Sequence, residues 1–421
     1  MEKIIFAGVL INRITLKHLL LNKTLLFGYF LLVLALVGTY QILDIRYFSA
    51  AINAHSAGLD PTNPALKEAM RAALSGPVGE VDRTVPWSLL IANYMYMIYT
   101  GSGVIFLVAL AELLNFHVVA RAAGGFMMAG IAMVFAGLFT IATDLNLLNM
   151  HWMLLSPNVK TGIWLMLPLY CFYIPFVFFE IYLILTNKRE WAKRLALPIL
   201  LLSIVVDVVE YYIQARLFSM NTARQLWTEF PVLTLYFIIS AFVSSLGVMG
   251  VLSYFVHRYI PEYRALMALV RKAMLFFIVA LGAYEVLGYL TVDDRWVDVI
   301  LFGPLRTAYF TGYIFLTLAL PFVLLIASAK PIFTVFASCC VLLGGFIGRC
   351  IFVYGGNAYP MSNRSGTGFE KYDQYAMANS FSYVSPHFSE ILIVLGSIGV
   401  AMIIYKLFDG LFSVGELREH P

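Results

Sequence analysis

Two carboxylates stand three residues apart in Val205-Val206-Asp207-Val208-Val209-Glu210-Tyr211-Tyr212, inside a stretch that is otherwise apolar. On a helix that spacing places Asp207 and Glu210 on one face. An acid inside a membrane-crossing helix is expensive to bury, which makes it a candidate for function. Two such acids together are equipped to hold a proton and hand it to a reacting group, the work of a general acid and base. The competing role for either is a plain ion pair with an arginine such as Arg216 or Arg349.

A second constellation is Asp144-Leu145-Asn146-Leu147-Leu148-Asn149-Met150-His151-Trp152, followed by Ser156-Pro157-Asn158 and Gly162. It joins an acid, an imidazole that titrates near neutral pH and an indole of the kind that anchors at membrane interfaces. A quinone headgroup asks for that mixture: donors for its carbonyls, an aromatic wall for its ring and two protons on reduction. A helix cap beside a tryptophan anchor is the simpler reading of the same residues. Asn93, early in another span, would stand level with Asp207 and could donate to the same headgroup, although amides in membrane helices often just join helices. With Tyr96 and Tyr211 added, the expected quinone contacts are Asn93, Tyr96, Asp144, His151, Trp152, Asp207, Glu210 and Tyr211.

In the span that holds Asn93, Thr100-Gly101-Ser102-Gly103 lets helices approach closely, and packing is its main expected use. The hydroxyls of Thr100 and Ser102, with Glu112, Glu180 and Glu285, are also the groups expected to line a proton route to the site. Glu112 and Glu180 lie near helix ends, where solvation alone would account for them.

The elements that must position these groups follow from composition. The 421 residues are 61% hydrophobic and 12% charged, against roughly 45–50% and about 25% in soluble domains. Apolar residues fall in blocks of about 20 or more, enough to cross a hydrocarbon core of about 30 Å. Ten spans result, at about 18–43, 89–114, 121–143, 161–186, 194–214, 231–255, 272–291, 307–328, 331–354 and 388–406. The fold class is all-α integral membrane. Before the first span, Met1 to Leu16 is read as an uncleaved start lying along the membrane surface.

Ten spans put both termini on one side, the side that also collects Lys3, Arg13, Lys17, Lys23, Lys188, Arg189, Lys193, Arg194, Arg258, Arg264, Arg271 and Lys272. By the positive-inside rule that side is cytoplasmic. The longer loops, with Trp87, Trp152, Trp227 and Trp296, then face the periplasm, and the chain sits in a bacterial inner membrane.

An internal repeat organises the spans. Pro86 answers to Pro231, Ser156-Pro157 to Gly303-Pro304, and Pro175-Phe176-Val177 to Pro321-Phe322-Val323, all at an offset of about 146 residues. Four helices per repeat is an even number, so the copies run the same way through the bilayer, unlike the inverted repeats common in transporters. Two parallel four-helix bundles are expected, with one flanking helix at each end. The corresponding divisions are residues 1–85, 86–215 carrying the quinone site, 216–354, and 355–421.

Several classes are set aside. A net charge of +4 is dispersed over loops and carries no case for nucleic acid. Cys171, Cys339, Cys340 and Cys350 lack C-x-x-C spacing and read as packing residues. No histidine pair stands at matching depth for haem, and no cluster-binding cysteine set is present, so neither haem nor iron–sulfur is expected in this chain, and no metal site.

The series from Asp144-Leu145 through His151-Trp152 and Ser156-Pro157 to Gly162-Ile163-Trp164, with Pro86-Trp87 opening the preceding pair of spans, resembles the NrfD/polysulfide reductase C family. The resemblance covers about residues 86–354. It implies a quinone-interacting membrane subunit with its site toward the periplasm. It also implies a docked partner subunit carrying [4Fe-4S] clusters, which relays electrons to or from a periplasmic molybdopterin-type or cytochrome c subunit. Here Asn146 and Leu147 follow Asp-Leu, where the family often has Gly and a basic residue. The ten-span length is similar to the membrane subunits of menaquinone reductase complexes and of certain periplasmic hydrogenases, which implies menaquinone reduction, and protons drawn through Glu180, Glu112 and Glu285 would make it proton-translocating. Quinol oxidation by a reductase anchor, or secondary transport without a redox partner, are the rival expectations.

Overall fold

The computed structural model describes residues 3–6, 9–12, 22–43, 87–144, 155, 157–186, 190–220, 226–227, 230, 232–291, 298–303, 305–357 and 386–412. His151, Trp152, Ser156, Pro86, Pro231, Pro304 and the loops at 44–86 and 358–385 lie outside them. Among the described residues ten helices are long and apolar enough to cross a membrane. They are α1 (Lys23–Leu43), α2 (Leu89–Leu113), α3 (His117–Asp144), α4 (Gly162–Leu185), α5 (Glu190–Ser219), α6 (Leu233–Phe255), α7 (Tyr263–Thr291), α8 (Ala308–Ala327), α9 (Pro331–Asn357) and α10 (Phe388–Phe412). Their order and positions follow the hydropathy blocks. Each successive span reverses direction, so the start of α1 and the end of α10 share one face, here the terminal face; the other is the loop face.

Two departures from the sequence reading have identifiable reasons. α7 begins at Tyr263 rather than near 272, because Arg264 and Arg271 continue the helix past the apolar block, and Arg271 Nε donates to the Leu325 carbonyl at 2.7 Å. Long basic side chains can follow a helix out of hydrocarbon while their stems stay on it. The N-terminal segment is not a plain surface stretch but an antiparallel ribbon, β1 (Lys3–Phe6) paired with β2 (Val9–Asn12), and β2 packs against α10.

α2 is the centre of the molecule. Every residue from Leu89 to Ala109 is buried, as expected for a helix that is apolar all round. It packs on α3, α5, α6, α9 and α10. The helices α2–α5 form one group of four and α6–α9 a second, joined through α2 and α5 against α6 and through α2 against α9. The Gly-Ser run fulfils its packing role: a side chain on Gly101 would collide with the Gly130 carbonyl of α3.

The flanking helices from the two ends of the chain meet each other. α1 and α10 pack tightly antiparallel, and α10 lies against α3. The approach depends on small residues, since a side chain on Gly399 would strike the Gly28 carbonyl and one on Gly396 would strike Ala35. Such contacts replace the hydrophobic drive that lipid does not supply.

α8 is wound in two ways, as a π-helix over Ala308–Ala319 and an α-helix over Leu320–Ala327. Its buried residues, Tyr309, Tyr313, Thr317, Pro321 and Leu325, recur every fourth position. A four-residue step keeps to one helix face, and here it runs unbroken through both windings.

Around the belt, Phe30, Val205, Phe276, Leu290 and Phe336 are exposed, an apolar surface suited to lipid rather than water. Cys171 and Cys339 are exposed on it too, which corrects their reading as packing residues.

Candidate functional site

The acids of α5 belong to a longer polar stripe, Asp207, Glu210 and Gln214, all fully buried. α4 runs antiparallel to α5 and presents Tyr170 and Tyr173 at the same three-residue spacing, in opposite order. Tyr173 Oη donates to Asp207 Oδ1 at 2.9 Å, and Tyr170 Oη donates to Glu210 Oε1 at 2.8 Å. Gln214 Nε2 then donates to Tyr170 Oη at 2.7 Å and to Tyr94 Oη of α2 at 3.0 Å. Asp207 Oδ2 and Glu210 Oε2 are buried with no hydrogen-bond partner. A buried polar atom without a partner is uncommon and calls for an explanation.

α4 is built to hold these tyrosines. Thr161 caps its first turn by accepting from the Trp164 backbone N–H at 3.4 Å. Gly162 sits so close to the Leu217 backbone that a side chain there would press tightly on α5. Pro168 and Pro175 lie within the helix, where each removes one backbone hydrogen bond.

Beside the stripe, toward the loop face, is a cavity of about 530 Å³ between α2, α3, α4 and α5. Trp87, Phe218, Met166 and Leu138 are among its apolar walls, and Tyr94, Tyr170 and Asp144 are its polar ones. Cys171 and Pro175 in the same wall are exposed on the lipid-facing surface of α4. Trp87 stacks on Trp227 at 4.9 Å and meets Phe218 edge-on, so the wall is rigid on that side.

At the terminal face of the same group a second pocket, about 270 Å³, is lined by Glu112, Glu180 and His117 among others. Glu180 is 5% exposed and its Oε2 has no partner. Burial on this scale is more than the solvated helix end considered from sequence. Glu112 is half-buried.

The residues named from sequence divide as follows. Asp207, Glu210 and Tyr211 share one part of α5, and Asp144 stands in the cavity wall. The Asn93 amide bonds to neither α5 acid: it donates to Thr140 of α3 and Ser397 of α10, both at 2.9 Å, and so ties three helices together. Tyr96 turns to α9, donating to the Leu342 carbonyl at 2.7 Å. Ser102 donates to Tyr211 Oη at 3.1 Å, and the Thr100 carbonyl accepts from Ser245 of α6 at 2.8 Å. Glu285 lies in the second group of helices, where Tyr313 and Tyr309 donate to its two oxygens.

Neither Arg216 nor Arg349 pairs with the α5 acids; Arg216 donates to the Lys160 carbonyl instead. Tyr170, Tyr173, Gln214 and Tyr94 were not picked out from sequence. The signal for the first two was available in the spacing that they share with Asp207 and Glu210.

Fold and site define a multi-pass helical membrane protein with a paired-acid network opening on an apolar cavity. The family model described as polysulphide reductase, NrfD matches residues 78–360, and the chain belongs to that family. Membership marks it as a membrane subunit of quinone-linked redox complexes, a kind that partners with iron–sulfur subunits. No curated protein matches the sequence.

Proposed function

We propose that this chain is the (mena)quinone-reactive subunit of a periplasm-facing respiratory complex in a bacterial inner membrane, with both termini cytoplasmic. Its partner is a [4Fe-4S] subunit docked on the loop face, itself joined to a molybdopterin-type or cytochrome c subunit. The observation that carries the reading is the junction of the cavity with the acids: Tyr94 and Tyr170 belong to the cavity wall and to the hydrogen-bond network of Gln214 and Glu210 at once.

A cavity of this size and apolar character suits a small aromatic ligand held by a few polar groups. In this reading the headgroup lies against Trp87 and Phe218, one carbonyl accepts from Tyr94 and the other from Tyr170 once a protonated Glu210 donates to the Tyr170 hydroxyl, and its tail leaves past Cys171 and Pro175 into lipid. Electrons come from the partner's cluster. Tyr170, hydrogen-bonded to Glu210, passes protons between the acid and the substrate oxygen, and Asp207 stands next in line. Glu180 and Glu112, lining the terminal pocket, draw protons from the cytoplasmic side, which makes menaquinone reduction proton-translocating. The same contacts serve quinol oxidation with every step reversed.

The test is binding of a quinone analogue to the purified complex, followed by fluorescence quenching. Saturable binding that weakens about tenfold or more in Tyr170→Phe supports the site, the loss of one hydrogen bond to a charged network being of that order. No binding to the intact complex refutes it, and purification of the chain without iron–sulfur partners brings the transporter reading forward.

A further inference from the structure

The terminal pocket of the first group, about 270 Å³, differs in chemistry from the loop-side cavity, and the two share no lining residue. Two acids line it, Glu112 from the end of α2 and Glu180 from α4, with Asn115 of the connecting turn beside them. Glu180 is 5% exposed and its Oε2 has no hydrogen-bond partner. Val108, Met127, Leu183, Ile199 and Leu200 supply apolar walls, while Asn115, Phe116, His117 and Ala120 form an exposed rim. Among the described residues neither acid forms an ion pair; Arg121, one turn along α3 from His117, is engaged with Glu262 at 3.2 Å.

Few ligands match such a lining. A carboxylate only accepts hydrogen bonds, so these acids ask for a donor. A buried charge also asks for one of opposite sign. A quinone, whose carbonyls are acceptors, is the wrong complement. A bare metal ion is a poor one as well, because hard cations gather about six or more oxygens. Among the described residues no group of three His, Cys, Asp or Glu converges to hold a metal ion. The space is also many times the roughly 10–15 Å³ that one water needs. A primary ammonium on a small apolar group meets both demands, with three N–H donors for the acids and carbon for the walls.

We propose that the terminal pocket binds a small hydrophobic primary amine, its ammonium donating to Glu180 Oε2 and to Glu112, and its apolar group lying among Val108, Met127, Leu183 and Leu200. Asn115 at the rim offers a third acceptor through its side-chain carbonyl. Binding needs no quinone and no partner subunit. An occupant covers both acids from which protons are drawn in the function proposed above, so the amine inhibits turnover; that consequence alone rests on that reading.

The probe is phenethylamine, titrated calorimetrically into the full chain in detergent, with phenethyl alcohol as its uncharged match in shape. Saturable binding of the amine is expected, about tenfold or more tighter than that of the alcohol, and Glu180→Gln should weaken it by the same factor, the order of one hydrogen bond to a charged group. Ala120→Phe, which fills the exposed rim and leaves both acids in place, should also weaken it about tenfold or more, so the test does not depend on whether the Glu180 variant folds. Equal binding of the alcohol overturns the proposal and marks an apolar cavity only. Unaltered amine binding in either folded variant overturns it and puts the bound amine elsewhere. Displacement of the amine by sodium, but not by an equal concentration of choline, overturns it in favour of an inorganic cation.

Discussion

The two groups of four helices run the same way through the molecule and bury acids among tyrosines, yet they finish the arrangement differently. In the second group Glu285 has a tyrosine hydroxyl on each oxygen. In the first, Asp207 and Glu210 each have one oxygen bonded to a tyrosine and one with no partner. Glu285 has both oxygens engaged, whereas Asp207 and Glu210 each keep one oxygen without a partner. The first group also carries the loop-side cavity, and tyrosines join that cavity to its acids. On the proposed function, the difference separates a group with acid oxygens open beside a cavity from one whose acid is fully engaged.

The largest effect expected from this contrast is on turnover. Asp207→Asn and Glu210→Gln should each lower electron transfer to a quinone analogue by about 100-fold or more, the usual contribution of a positioned acid or base. Glu285→Gln should change it by no more than about tenfold. Steady-state rates on purified, fully assembled complex measure both; equal losses from the two groups would erase the distinction. A second comparison pairs tyrosines. Tyr170→Phe is expected to weaken analogue binding, while Tyr313→Phe should leave binding alone and lower stability by about 1–3 kcal/mol, the value of a hydrogen bond to a charged group. Thermal unfolding in detergent, beside the quenching titration, separates the two outcomes.

Much of this architecture was legible in the sequence, and the exceptions have physical causes. Ten spans could be read because lipid imposes one length and one polarity on every helix. Asp207 and Glu210 stood out because charge is rare in such surroundings. Asn93 and Tyr96 bond to α3, α10 and α9, and a helix buried all round has no polar face from which that rotation could be read. Tyr170 and Tyr173 were hidden by abundance, since the chain has 25 tyrosines and a pair three apart is unremarked among them. Arg349 was considered only as an ion-pair partner; its contact with aromatic rings of both groups depends on how the groups dock, which no local pattern encodes. The N-terminal ribbon was missed because its strands are four residues each, too short for a period to register.

A smaller effect tests whether the α1–α10 pair belongs to the first group's function or only to its support. Gly399→Val should drive a side chain into the Gly28 backbone and lower stability by about 1–3 kcal/mol, the usual cost of overpacking. Analogue affinity should stay within about twofold, because neither helix contributes to the cavity wall. A tenfold loss of affinity would extend the site to α10 and reduce the contrast to one of degree.

The smallest effect is the most direct comparison of the repeats. Thr161 and Thr307 occupy corresponding places at the starts of α4 and α8, at the same offset as Pro175 and Pro321. Thr161 is extended and its hydroxyl accepts from the Trp164 N–H, whereas Thr307 is already helical and makes no side-chain cap. Thr161→Ala should therefore cost about 1 kcal/mol, as loss of an N-cap does, and Thr307→Ala a few tenths at most. Equal losses would mean that both helices begin alike in the membrane, leaving the π-wind of α8 without its distinctive start. Unequal losses, with analogue affinity unchanged in both, would show that the repeats diverge from the first turn of the helices that carry their tyrosines.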